Sequence, residues 1–96
     1  MSGEALSLEL KPKLAPKSKL RLDPRTGKHI LLYPEKGLLL NPTGAAILKQ
    51  CDGERSLSAI IAELSLEFQG DPEVLRVEVI RFVQGLLDRG LLQAAP

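Results

Sequence analysis

Residues 19–43 read KLRLDPRTGKHILLYPEKGLLLNPT, and the fold is decided in this stretch. Lys19-Leu20-Arg21-Leu22-Asp23 alternates polar and apolar side chains, the period of a half-buried strand. Pro24-Arg25-Thr26-Gly27 puts proline and glycine where a β-turn uses them, and His29-Ile30-Leu31-Leu32-Tyr33 reads as the returning strand. Pro34-Glu35-Lys36-Gly37 is a second turn, and Leu38-Leu39-Leu40 a third short strand. Together they predict a three-stranded antiparallel meander, small enough to leave at least one edge unpaired.

At Asn41 the period changes. Asn41 or Thr43 can accept from the free amides of a first helical turn, and Pro42 suits its first position. Thr43, Ile47 and Cys51 share one face of that helix, which Asp52-Gly53 ends. Ser56 can cap a second helix, in which Leu57, Ile60, Ile61, Leu64 and Phe68 form an amphipathic stripe. Gly70-Asp71-Pro72 breaks it, and a third helix runs from Pro72 to Arg89 with Asp71 as its cap. Gly90 closes that helix, and Leu91-Leu92 either return as a short strand or simply pack. The order predicts an α+β, winged-helix-like domain over residues 18–96: a three-stranded antiparallel sheet followed by a three-helix bundle.

Upstream, residues 1–17 mix Pro12, Pro16, small residues and lysines without a sustained period, and read as a flexible basic arm. Residues 1–28 hold seven basic and three acidic groups, a net +4; residues 29–96 hold six and nine, a net −3. Such an arm can touch phosphate, an anionic membrane or an acidic protein surface, or be a solvated tail. A start lacking signal-peptide features and a single cysteine, which cannot form an internal disulfide, predict a cytoplasmic protein.

Catalytic groups are scarce. His29, the only histidine, lies mid-strand, and Cys51 falls at a helix C-terminus, where the dipole raises a thiol pKa. One Cys and one His cannot supply a structural zinc site, and the glycines form no phosphate-cradling loop. No enzyme, metal or cofactor is expected. Nor is nucleic acid: residues 71–89 carry a net −1 and residues 54–70 a net −2, whereas duplex binding requires several neutralised phosphates. A DNA-binding winged helix remains the alternative that the fold order and basic arm suggest, and a subunit gripping an enzyme through its arm is a third reading.

One feature is left over. On the third helix Leu75, Val79, Ile80, Phe82, Val83, Leu86 and Leu87 span an arc of about 160°, wider than the roughly 100° one packed face needs. The surplus flank either wraps further around the core or lines a groove beside the unpaired strand, with Arg76 at the groove's end to meet a carboxylate. An open edge beside an apolar helix is the geometry in which an extended peptide adds a strand.

Asp23, Leu31-Leu32, Pro34-Glu35-x-Gly37, Leu40-Asn41, Ile47-Leu48 and Cys51-Asp52-Gly53 together resemble the PqqD family, from about Lys13 to Leu92. That resemblance implies a non-catalytic peptide chaperone, a recognition element for ribosomally made, post-translationally modified peptides. It would bind the leader of the precursor peptide PqqA and present it to the radical-SAM enzyme PqqE. The leader would dock as an extra strand along Gly37, Leu38, Leu39 and Leu40, facing Arg76, Val79, Ile80, Val83 and Leu87. Similar motifs occur in PqqD-like adaptors of other peptide-modification pathways. No membrane partner is implied, and both a monomer and a strand-exchanged homodimer fit.

Overall fold

The computed structural model describes residues 7–34 and 36–95. Five strands and three helices follow in the order β1 (Lys11–Leu14), β2 (Lys19–Leu22), β3 (His29–Tyr33), β4 (Lys36–Leu39), α1 (Pro42–Lys49), α2 (Leu57–Glu67), α3 (Pro72–Asp88) and β5 (Leu92–Ala95). The meander is an antiparallel sheet in the order β2-β3-β4. Leu20, Leu31 and Leu38 stand side by side across it, on the face turned to the helices. Arg21, Ile30 and Leu39 form the neighbouring row, which side-chain alternation puts on the opposite face.

Helix starts follow their capping chemistry. Asn41, Ser56 and Asp71 each accept a first-turn amide through the side chain, and Pro42 and Pro72 occupy first positions that need no N–H. The core gathers Leu31, Leu40, Ile47, Leu48, Leu57, Ile60, Leu64, Val79, Val83, Leu86 and Leu92. No helix among the described residues is long and apolar enough to cross a membrane.

The second half of the expected flexible arm is ordered. Lys11–Leu14 pairs with Leu92–Ala95 in a separate two-stranded antiparallel ribbon. Pro12 faces inward and is fully buried, while Lys11 and Lys13 face out. The backbone just before β1 also closes off α2: Leu57 N donates to Leu10 O at 2.7 Å and Ser58 N to Leu8 O at 2.9 Å. These are orphan amides of a helix start, so the segment read as a tail completes a cap. Local pattern could not show it, because both partners lie far along the chain. Residues 1–6, the rest of that arm, lie outside the described residues.

Cys51-Asp52-Gly53 joins the two parts. Asp52 Oδ1 accepts from the backbone N–H groups of Glu54 and Arg55. Gly53 has φ +81°, and a Cβ there would lie 3.2 Å from the Lys13 side chain. Both the left-handed backbone and the close approach of β1 therefore select glycine.

Candidate functional site

The outer edge of β4 is the most distinctive feature of the surface. Leu40 N donates to His29 O, which fixes the alternation of the ladder: residues 36, 38 and 40 direct their main-chain groups at β3. Gly37 and Leu39 consequently direct theirs outward, and no backbone bond consumes them among the described residues. Leu39 is 57% exposed on this edge. At Gly37 a Cβ would lie 3.3 Å from both Ile30 Cγ2 and Leu32 Cδ2. Glycine lets those two side chains close over the strand and keeps the edge at Gly37 bare.

β2, the opposite edge of the sheet, carries Lys19 and Arg21. Charged side chains of this kind blunt an edge against strand addition. Both outer edges of the sheet are unpaired among the described residues, and β4, with Lys36 at its start as its one charged residue, is the less charged of the two. Of the strand residues expected to meet a peptide, Gly37 and Leu39 offer main chain, Leu38 is half-buried on the helix-facing side, and Leu40 is buried in the core.

The helix side of the site differs from expectation. Val79 and Val83 have 0% exposure and lie in the core, so neither presents surface in this structure. Arg76 is exposed and drawn to Glu73 of its own helix, Nη1 to Oε1 3.8 Å. The flank turned to the sheet and α1 carries Phe82 and Arg89 instead. Phe82 Cζ lies 3.2 Å from where a Cβ on Gly44 would stand. Arg89 Nη2 donates to Tyr33 Oη at 2.9 Å, and its guanidinium lies 5.8 Å from the Tyr33 ring centre.

At 100° per residue, Ile80 and Leu87 fall about 160° and 140° around the helix from Phe82. They are half-buried against the core from the far side. A helical wheel gives the width of an apolar arc but not which end of it meets the rest of the fold; here the contacts to α1 and to Tyr33 of β3 lie at the end that sequence reasoning left out. Between Phe82 and Arg89, Gly85 has open space where a side chain would stand, so that flank is recessed mid-way along the helix.

The chemistry is that of binding. Burial, seconded by the Asp52 charge, pushes the Cys51 thiol up to about 12, and its Sγ donates to Ile47 O at 3.2 Å. The expected direction holds, but burial is its main cause, where the sequence pointed to the helix dipole. Asp52 is held below the usual carboxylate range, chiefly by the backbone N–H groups of Glu54 and Arg55. Among the described residues, no group of three or more His, Cys, Asp or Glu side chains is arranged to hold a metal ion.

The family model for coenzyme PQQ synthesis protein D (PqqD) matches residues 28–92, most of the chain. The chain belongs to the PqqD family. A PqqA binding protein of Rhodopseudomonas palustris (strain HaA2) is 35% identical over 91 residues, covering 95% of this chain and 89% of that protein. Among solved structures, the PqqD part of Methylobacterium extorquens PqqCD superimposes with a TM-score of 0.72 at 30% identity, covering 85% of this chain and 87% of that one. It is described as a functional, stand-alone recognition element for ribosomally synthesised and post-translationally modified peptides. TbiB1 in complex with the TbiA(beta) leader peptide shares the fold, with a TM-score of 0.71 at 16% identity over 84% of this chain and 94% of that one. As a PqqD-family member the chain is a non-catalytic binding domain. The family also gives the expected winged-helix-like α+β architecture its place.

Proposed function

We propose that this chain binds the leader of the precursor peptide PqqA as an added strand on β4 and presents it to the radical-SAM enzyme PqqE. The observation that carries this reading is the outward main chain of Gly37 and Leu39 on an apolar, unpaired edge. Names of the relatives support the ligand, since the R. palustris homologue is a PqqA binding protein. Strand addition supplies two-way hydrogen bonds at alternate residues, which set register, while side chains between them set selectivity.

The proposed contact surface keeps Gly37, Leu38 and Leu39 from the sequence reading and exchanges the far flank of α3 for Phe82, Gly85 and Arg89. Leu40, Val79 and Val83 support it from the core; Arg76, Ile80 and Leu87 take no part. A leader held along β4 leaves its remaining length free for an enzyme to reach, and the domain needs no reactive group of its own. Titrating a synthetic PqqA peptide into the labelled protein should shift the Gly37 and Leu39 amides and the Phe82 ring. Shifts confined to residues 7–17 would overturn the proposal. For the second half, adding PqqE to the peptide complex should give a ternary species in sedimentation; displacement of the peptide by PqqE would contradict presentation.

A further inference from the structure

Just past the Leu39 end of β4 lies a cleft of about 830 Å³ between the β2–β3 turn, α1 and the C-terminal end of α2. Its apolar surface comes from Leu39, Leu40, Ala45, Ala46 and Phe68. Lys28, Lys49 and Arg55 line it against Glu67, the only acidic side chain in the lining among the described residues, so the charge these contribute is net positive. Arg55 also lies 3.8 Å from Asp52, outside the cleft. Gln50 completes the lining; it is only 7% exposed, and its Oε1 atom is sealed from solvent with no hydrogen-bond partner among the described residues.

A buried amide oxygen without a donor costs free energy that a fold recovers when a ligand supplies the N–H or O–H. A methionine would fill the same space without a polar atom to satisfy. The cleft thus combines an unmet acceptor, an apolar wall and a surplus of cations. A polypeptide carrying carboxylates answers all three, with a main-chain N–H that Gln50 meets by turning its amide into the cleft, and acidic side chains for Lys28 and Lys49.

We propose that this cleft is a second subsite, which takes an acidic segment flanking the strand paired to β4. The inference rests on the reading of β4 as the peptide's strand. Leu39 belongs to both places: its main chain is the last outward pair on the edge, and the residue also lines the cleft. Whichever way the added strand runs, one of its ends leaves past Leu39. At about 3.3 Å per residue, only the next two or three peptide residues are needed to enter the cleft.

The test uses the full chain and a synthetic PqqA peptide of R. palustris, with a second peptide in which every Asp and Glu is replaced by Asn or Gln. Two variants accompany them, Gln50→Met and the double charge reversal Lys28→Glu/Lys49→Glu. Gln50→Met should melt no lower than the parent, because it removes the unmet acceptor, yet bind the acidic peptide about fivefold more weakly, the worth of one net hydrogen bond. The charge reversal should weaken binding about tenfold at low salt, with the loss shrinking as salt is added, and should leave the neutralised peptide unaffected. Amide shifts at Ala45, Ala46 and the Gln50 side chain should accompany those at Gly37 and Leu39. If the strand shifts occur while the cleft stays silent and both variants bind like the parent, the subsite is overturned and the strand reading stands. If the strand shifts themselves are absent, the strand reading fails and the subsite fails with it. A Gln50→Met variant that melts lower would make Gln50 a structural residue and overturn its role as acceptor.

Discussion

The strands β1 and β4 both have one side paired and one side turned away from their partner, yet only one of them is open. On β1 the outward positions include Pro12, which has no N–H to offer, and its carbonyl accepts from Gly53 N at 3.0 Å. Lys13 meets Asp52 in a bridge, and the backbone leading into β1 caps α2. On β4 the outward groups of Gly37 and Leu39 find no such neighbour among the described residues. A fold of this size therefore does close an edge when proline, glycine and a helix start are placed to do so. The contrast marks β4 as an edge kept available.

Breaking β1 should have the largest effect. Deleting residues 1–14 removes the partner of β5 and the acceptors for Leu57 and Ser58, and uncovers Leu92. A domain this small has only about 5–15 kcal/mol in hand, so the thermal transition followed by circular dichroism should be lost. A truncated chain that melts cooperatively near the parent temperature would make β1 an appendage. For the same reason, removing the segment cannot serve as a clean probe of what the basic residues bind.

Val83→Asp comes next. It buries an unpaired carboxylate at 0% exposure and should cost about 4 kcal/mol or more, unfolding much of the population. If the folded fraction survives in a urea titration, Val83 borders a groove after all.

Leu39→Pro then addresses the β4 edge alone. The Leu39 N–H points away from β3, so proline there spares the internal ladder, as edge positions allow. The fold should persist with its midpoint within about 1 kcal/mol, while peptide affinity measured by calorimetry falls about tenfold or more, having lost one hydrogen bond and the close approach of strands. Leu38→Pro, which removes a ladder bond to β3, should damage the fold itself; equal effects from the two would deny the alternation of the edge.

The smallest effect concerns the Cys51-Asp52-Gly53 turn that packs against β1. The thiol is raised from 9.0 in an unfolded chain to about 12 in the fold. Between those values the unfolded chain releases a proton that the folded one retains, so stability present below pH 9 declines as pH rises towards 12. Cys51→Ala should flatten this alkaline slope in melts taken from pH 8 to pH 11. An unchanged slope would place the thiol in water.

How much of this was legible beforehand follows the range of the interactions. The meander and all three helices rest on local signals: alternation in residues 19–23, turns at Pro24 and Pro34, and caps at Asn41, Ser56 and Asp71. Each involves residues a few positions apart. β1 was not legible, because Lys-Pro-Lys-Leu is too short to show a period and its partner lies about 80 residues away at the other end of the chain. The flank of α3 that faces the sheet was hidden for the same reason. The Arg89–Tyr33 contact spans 56 positions, and no wheel drawn on one helix can reveal it. The open edge at Gly37 to Leu39 was readable since an edge is a property of the meander alone.

Hydrogen exchange at single amides tests the central claim most directly. In the free protein Gly37 and Leu39 should exchange rapidly while Leu38 and Leu40, bonded to β3, are protected. Addition of saturating PqqA peptide should slow Gly37 and Leu39 by roughly a hundredfold, the factor that about 2.7 kcal/mol of bound-state protection gives, with Lys13 on β1 unchanged. Exchange at Gly37 and Leu39 that stays rapid while the peptide is demonstrably bound would contradict strand addition on β4.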